Sequence, residues 1–172
     1  MRKAVLVVAV LSLLLSAPRV RADAPAAPVT RVWIGKSSHT LKLFSGTTEV
    51  KSYKVAVGPG GAGFKHQEGD KVTPVGHYHV TMHQPSKFKI FLRLDYPQQP
   101  DWERFAALKK EGKLGKDATI GGDIGIHGVG TPAWNGVHKL TDWTWGCIAL
   151  DDDEISEVAG LVKDGTPVDI ED

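Results

Sequence analysis

Cysteine is nearly absent from this 172-residue chain; the single one is Cys147. A lone thiol forms no disulfide within its own chain, so it either packs as a small apolar group or reacts. A surplus of one charge is also missing. The 21 Lys and Arg stand against 20 Asp and Glu, with no basic block or stripe. That excludes the electrostatic footprint of a nucleic-acid binder and gives no basis for adhesion to an anionic membrane. Long apolar runs are confined to the start. The stretch from Ala4 to Leu15 spans about a dozen residues, short of the roughly 20 that cross a bilayer as a helix. There is no internal repeat. The glycine-rich 58–63 lacks both the Lys-Ser/Thr pair and the following dinucleotide helix that would make it a phosphate cradle, and it reads as a flexible surface turn.

What the first 22 residues do have is the layout of a secretory leader: basic Arg2 and Lys3, the apolar run, and small residues ending at Ala22. No cysteine lies near the cleavage point for lipid attachment, and Arg19 and Arg21 are not adjacent, so no twin-arginine signal is present. The expectation is export to a periplasm or to the cell exterior, with no stable membrane anchor after cleavage. Losing the leader's four basic residues turns a formal charge of +1 into −3 over residues 23–172. Residues 23–30, rich in Pro and Ala, read as a flexible spacer, and 31–172 as one domain of ordinary size.

Short alternating runs dominate that domain. Strands are predicted over 31–35, 39–44, 51–57, 76–82, 90–96 and 166–170, because apolar residues recur every second position between turn residues. Two helices interrupt them. One has Asp101 as its cap, Trp102, Phe105 and Ala106 on one face, and Gly112 as its stop. The other opens on 151–154 and spaces Ile155, Val158, Ala159 and Val162 as a buried face. The acidic run lacks the alternating ligands of a calcium loop, so its carboxylates read as helix N-terminal charges. The pattern is mainly β (α+β), in a single domain.

Free cysteine titrates near pKa ~8.5, and its thiolate rather than its thiol attacks carbonyls. A neighbouring imidazole lowers that value and accepts the proton. His127, in Ile126-His127-Gly128, supplies such a base. Gly146 lets backbone approach a substrate, and the amides around Gly146 and Cys147 are natural oxyanion donors. The segment 145–150 reads as a strand entering the acidic helix start, with Cys147 near a helix N-terminus that favours its thiolate.

The spacing is more specific than either residue. His127, 16 residues, then Thr144-Trp145-Gly146-Cys147 resembles the L,D-transpeptidase catalytic domain of the YkuD type, whose pattern is His, 14 to 17 residues, then Ser/Thr-His-Gly-Cys. Lys71-Val72-Thr73-Pro74-Val75-Gly76-His77-Tyr78, Tyr96-Pro97 with Asp101, and 122–128 also follow the family's order. Trp145 replaces the second histidine of many members, and Asp142 to Ala149 is similar to a subgroup reading Asp-Trp-Thr-x-Gly-Cys-Ile-Ala. The resemblance implies a β-sandwich of mixed sheets with flanking helices. It implies Cys147 as acylated nucleophile, His127 as base, the Gly128 carbonyl as its orienter, and Thr144, Trp145 and Gly146 lining the cleft. The implied partners are peptidoglycan stem peptides and, as acceptor, an amine on another stem or on a protein. Neither cofactor nor metal is implied.

Three functions stay open at this point. They are an L,D-transpeptidase, an L,D-carboxypeptidase or cross-link hydrolase passing the same acyl-enzyme to water, and a non-catalytic wall-binding module. The last needs no nucleophile. His77, His79 and His83 read as exposed strand residues rather than zinc ligands, and His138 as a solvated loop residue. Trp134 and Trp143 either cover substrate or anchor the loop.

Overall fold

The computed structural model describes residues 28–172. The expected leader, 1–22, and the first part of the spacer, 23–27, lie outside the described residues. Val29 already packs against the core, and the Thr30 N–H donates to the Phe44 carbonyl at 2.7 Å, so residues 29–30 are fastened rather than flexible.

Alternation produces the strands as expected, and their register shows how they assemble. β1 (Arg31–Gly35) pairs antiparallel with β2 (Thr40–Ser45), which pairs with the edge strand β3 (Thr48–Lys54). On its other side β1 runs parallel to the C-terminal strand β8 (Pro167–Glu171). β8 in turn pairs with β4 (Gly76–Ser86). β4 then continues into β5 (Lys89–Leu94), β6 (Gly125–His127) and β7 (Ile148–Ala149). The order β3-β2-β1-β8-β4-β5-β6-β7 makes one mixed eight-stranded sheet. β4 belongs to both halves, and its register shifts between Val80 and Met82, a bulge of the kind that bends a strand.

The two ends of the sheet come back together. Ala56 donates to Ala149 and accepts from it, at 3.1 and 2.8 Å. This explains why the predicted strand 51–57 stops at Lys54: Val55 to Val57 leave β2 to bridge β7. The inward residues of both halves, among them Val32, Ile34, Leu41 and Leu43 from one and Leu92, Ile126 and Ile148 from the other, form a single buried cluster. Each such side chain contributes roughly 1.5–3 kcal/mol on leaving water. The architecture is mainly β with flanking helices.

The helices differ in what they bury. α2 (Asp152–Leu161) sinks Ile155 and Val158 completely, as their spacing predicts. Glu154 closes its first turn by accepting the Asp151 N–H at 3.0 Å. α1 (Gln99–Lys110) starts earlier than predicted, with Gln98 as its cap. Asp101 is its third residue and accepts the Gln98 N–H at 2.8 Å. The predicted apolar face is not buried: Trp102 and Ala106 are exposed and Phe105 is half-buried. Asp101 is instead the buried residue of α1, gripped by the Tyr78 hydroxyl at 3.2 Å and by Arg104. A polar anchor, together with Phe105 packed against the edge of the core, docks this helix in place of a full apolar stripe. Among the described residues no helix is long and apolar enough to cross a membrane.

Candidate active site

β6 ends on His127, and β7 begins one residue after Cys147. Their parallel register pairs Ile126 with Ile148 and His127 with Ala149, which sets Cys147 beside Gly125. One same-face step along β6, roughly 6.6 Å at strand rise, then separates that position from His127. The topology therefore brings together two residues twenty positions apart in sequence.

The imidazole is buried and boxed. Phe88 stacks on it at 4.5 Å between centroids, Phe91 lies nearly parallel at 6.0 Å, and Trp143 meets it edgewise at 5.8 Å. Its Nδ1 lies 2.6 Å from the Gly128 carbonyl. A carbonyl only accepts, so Nδ1 carries the proton and Nε2 keeps its lone pair. Burial pulls the His127 pKa below its ordinary value; the Gly128 bond opposes this and His138 adds a smaller downward push. The ring is neutral at neutral pH. Gly128 has no room for a side chain, since a Cβ there would meet Asp152 Oδ1 at 2.5 Å and the Phe88 carbonyl at 2.9 Å. Buried Asp152 braces the following turn by accepting the Val129 and Gly130 N–H groups, both at 2.9 Å.

The nucleophile's loop is built differently. Thr144 Oγ1 donates to the Cys147 carbonyl at 2.7 Å and accepts the Gly146 N–H at 3.2 Å. Gly146 has φ +121°, and a Cβ there would stand 2.7 Å from the Val72 carbonyl, so only glycine suits the position. Thr144 is thus a buried brace inside the loop rather than part of a cleft floor. Trp145 stands outward, 68% exposed, with the Lys71 ammonium 5.3 Å from its ring centre. Since Thr144 takes the Gly146 N–H, that amide is not a free oxyanion donor. The Cys147 N–H donates to no acceptor among the described residues.

Two expectations about the thiol are corrected. Cys147 does not lie at a helix N-terminus: it precedes β7, while α2 starts beyond the strand's other end, about 16 Å away along extended chain. The helix field fades within its first turn. Nor is the resting thiol acidified. Burial pushes it up to about 11, against a smaller lowering by the Gly125 N–H. Its hydrogen bond goes to the Asp123 carbonyl at 3.4 Å, not to His127.

Several anchors escaped the motif. Asp142 takes His39 Nε2 at 3.1 Å and the Val57 N–H at 3.0 Å, while the Val57 carbonyl accepts from Trp143 and Thr144, both at 3.2 Å. Thr73 takes the Gly58 N–H at 2.9 Å, and the Lys71 carbonyl takes the Gly60 N–H at 3.0 Å. The glycine-rich turn is therefore pinned beside the site rather than loose. Phe88 was equally hidden, because only the β4–β5 hairpin brings it onto His127. His138 is buried, not solvated: Nε2 reaches Asp151 at 3.0 Å and Nδ1 accepts the Trp143 indole N–H at 3.4 Å. His77, His79 and His83 each pair with a separate carboxylate, of Asp169, Asp95 and Asp164. No group of three or more His, Cys, Asp or Glu placed to hold a metal occurs among the described residues.

The model of the L,D-transpeptidase catalytic domain, YkuD, matches residues 29–170. The chain belongs to this L,D-transpeptidase family. Among solved structures, it is 26% identical to the helical cell shape determining protein Pgp2 from Campylobacter jejuni, with a TM-score of 0.63 over 84% of this chain and 48% of that one. The chain thus spans about half the length of Pgp2. Bdellovibrio bacteriovorus Bd1075 follows at 20% identity and TM-score 0.55, over 87% of this chain and 50% of that one. An L,D-transpeptidase from Mycobacterium smegmatis shares the fold at 12% identity and TM-score 0.53, over 82% and 58%. No curated protein sequence matches. The matched L,D-transpeptidase domain contains every site residue described above, and its fold is that of these neighbours.

Proposed function

We propose that this domain is an exported cysteine acyltransferase that remodels peptidoglycan. Its donor is a tetrapeptide stem, and Cys147 attacks the carbonyl of the stem's third residue at its L-centre. The observation that carries this reading is the Nδ1–Gly128 bond of 2.6 Å, which leaves Nε2 unprotonated at the end of β6, the strand that pairs with the β7 strand following Cys147.

Because the resting thiol is protonated, His127 acts at the moment of attack and not through a stored ion pair. The Sγ–H turns from the Asp123 carbonyl to Nε2, the proton passes to the ring, and sulfur bonds to the carbonyl carbon. The oxyanion forms beside the Cys147 N–H, a donor of the kind worth roughly 3 kcal/mol. Collapse breaks the amide bond, the imidazolium protonates the leaving amine, and D-alanine departs. An amine of a diamino acid on a neighbouring stem, or on a protein, then attacks the thioester. It gives its proton to His127, the carbon–sulfur bond breaks, and the imidazolium returns that proton to the departing sulfur to restore the thiol. One amide replaces another, so no nucleotide or cofactor is required.

The leader-like N-terminus and the likeness to a cell-shape protein support action on the wall from a periplasm or the cell exterior. Purified residues 23–172 incubated with disaccharide-tetrapeptides and followed by mass spectrometry should give dimers with free D-alanine. Tripeptides alone would assign the acyl group to water. Unchanged turnover by Cys147→Ala would falsify the mechanism.

A further inference from the structure

The loop between His127 and Cys147 encloses a space the reaction itself does not use. Two 3₁₀ turns, Pro132–Trp134 and Val137–Leu140, fold over Trp143. Between them lies a cavity of 310 Å³ lined by Ala133, Trp134, Val137, His138, Thr141 and Trp143. Trp143 is the shared wall: its ring centre is 5.8 Å from that of His127 and 6.2 Å from that of His138. A ligand in the cavity would sit one indole away from the base.

We infer that this cavity is a subsite for a sugar ring of the glycan that carries the stem peptide, with Trp134 as its platform. The inference rests on the peptidoglycan reading above. The volume lies at the lower end of the roughly 300–1,000 Å³ of small-ligand sites and fits one ring rather than an extended chain. Trp134 is 57% exposed and Val137 61% exposed, an arrangement that leaves an indole beside apolar surface for the C–H face of a pyranose. The cavity wall carries no charge. The Trp143 indole N–H donates to His138 Nδ1, so that nitrogen is unprotonated and the imidazole neutral. Lys139 turns its ammonium away to Asp151 and Glu154, at 2.8 and 2.5 Å. A tetrapeptide stem carries carboxylates and an amine along its length and finds no counter-charge here, whereas an N-acetylated sugar is neutral. The loop is also held in place. Asp151, at the start of α2, accepts the Gly136 N–H at 2.5 Å as well as His138.

The test compares two donors, a disaccharide-tetrapeptide and the same tetrapeptide without sugar, by kcat/KM. The wild-type protein should prefer the disaccharide form, and Trp134→Ala should lower that preference about fivefold to tenfold, the scale of one aromatic contact. Trp134→Phe should retain most of it. Equal discrimination by wild type and Trp134→Ala overturns the subsite. Independently, the non-acylating Cys147→Ala protein is titrated with an N-acetylglucosamine oligomer while indole N–H resonances are followed. Movement of the Trp134 and Trp143 signals supports the subsite even if no donor is turned over, which separates this inference from the acyl-transfer reading. Movement with the free tetrapeptide but not with the oligosaccharide overturns it.

Discussion

The two halves of the sheet are held by different forces. Around β1, β2 and β8, long in-register strands bury Val32, Ile34, Leu41, Leu43, Val168 and Ile170, and apolar area carries the stability. Around β6 and β7, strands of three and two residues add Ile126 and Ile148 to the same core but have few ladder hydrogen bonds to hold their backbone. That half depends on side chains that take backbone N–H groups: Asp142 for Val57, Thr144 for Gly146, Asp152 for Val129 and Gly130. Short strands leave backbone free to approach a substrate, and polar braces return the rigidity. The same contrast recurs inside the site. His127 is boxed by aromatic rings, whereas Cys147 sits on a glycine-bent loop with its thiol engaged by a carbonyl.

If the contrast is right, damage to the two halves should separate. Leu41→Ala should cost about 2–5 kcal/mol of stability, the usual range for a core truncation, and lower the melting temperature. The folded fraction should keep its kcat. Asp152→Ala should cost somewhat less, about 1–3 kcal/mol for the Val129 N–H left buried without an acceptor, but should reduce turnover of the folded protein as well. Equal turnover per folded molecule in these two variants would break the comparison. Thr144→Val should likewise cost about 1–3 kcal/mol in chemical denaturation, by orphaning the Gly146 N–H, and lower kcat/KM at least tenfold by loosening the Gly146-Cys147 backbone.

Proton linkage sharpens it further. His127 has a depressed pKa, so its neutral form contributes stability above pH ~6.5, and that contribution is lost as pH falls toward the folded value. Wild type should lose stability as pH falls below about 6.5 more steeply than His127→Phe. Cys147 is raised from 9.0 to about 11. The folded state holds the thiol proton more tightly, so stability falls as pH climbs from 9 toward 11, and Cys147→Ala should lack that fall. Iodoacetamide alkylation of the folded protein should rise with a midpoint near 11. A midpoint near 7 would mean a resting thiolate and replace concerted base catalysis with a stored ion pair.

Much of this was written locally. Alternation marked β1, β2 and β8 nearly to the residue, because a half-buried strand needs one apolar side chain in two. The spacing of Ile155 and Val158 marked α2 for the equivalent helical reason. The Gly128 carbonyl could be named only through the family resemblance, and it lies 2.6 Å from His127 Nδ1. Where the reading failed, the partner was distant. Trp102 and Ala106 looked like core on an amphipathic helix, yet only Phe105 of that face packs against the core, and α1 is anchored through Asp101 because Tyr78, 23 residues earlier, reaches it. His138 looked solvated because nothing in sequence indicates that Asp151 and Trp143 meet at its two nitrogens.

By itself, then, the chain determined its strand content, its second helix and the two residues with the right chemistry, since these follow from periodicity and side-chain type. Tertiary structure alone decided that the sheet bends at β4 and joins its ends at Ala56 and Ala149. It also decided that burial lowers the imidazole pKa and raises that of the thiol, and that Thr144 occupies the Gly146 amide. Periodicity and chemistry belong to each residue and its neighbours. Burial, register and hydrogen-bond partnership belong to pairs that only folding brings together.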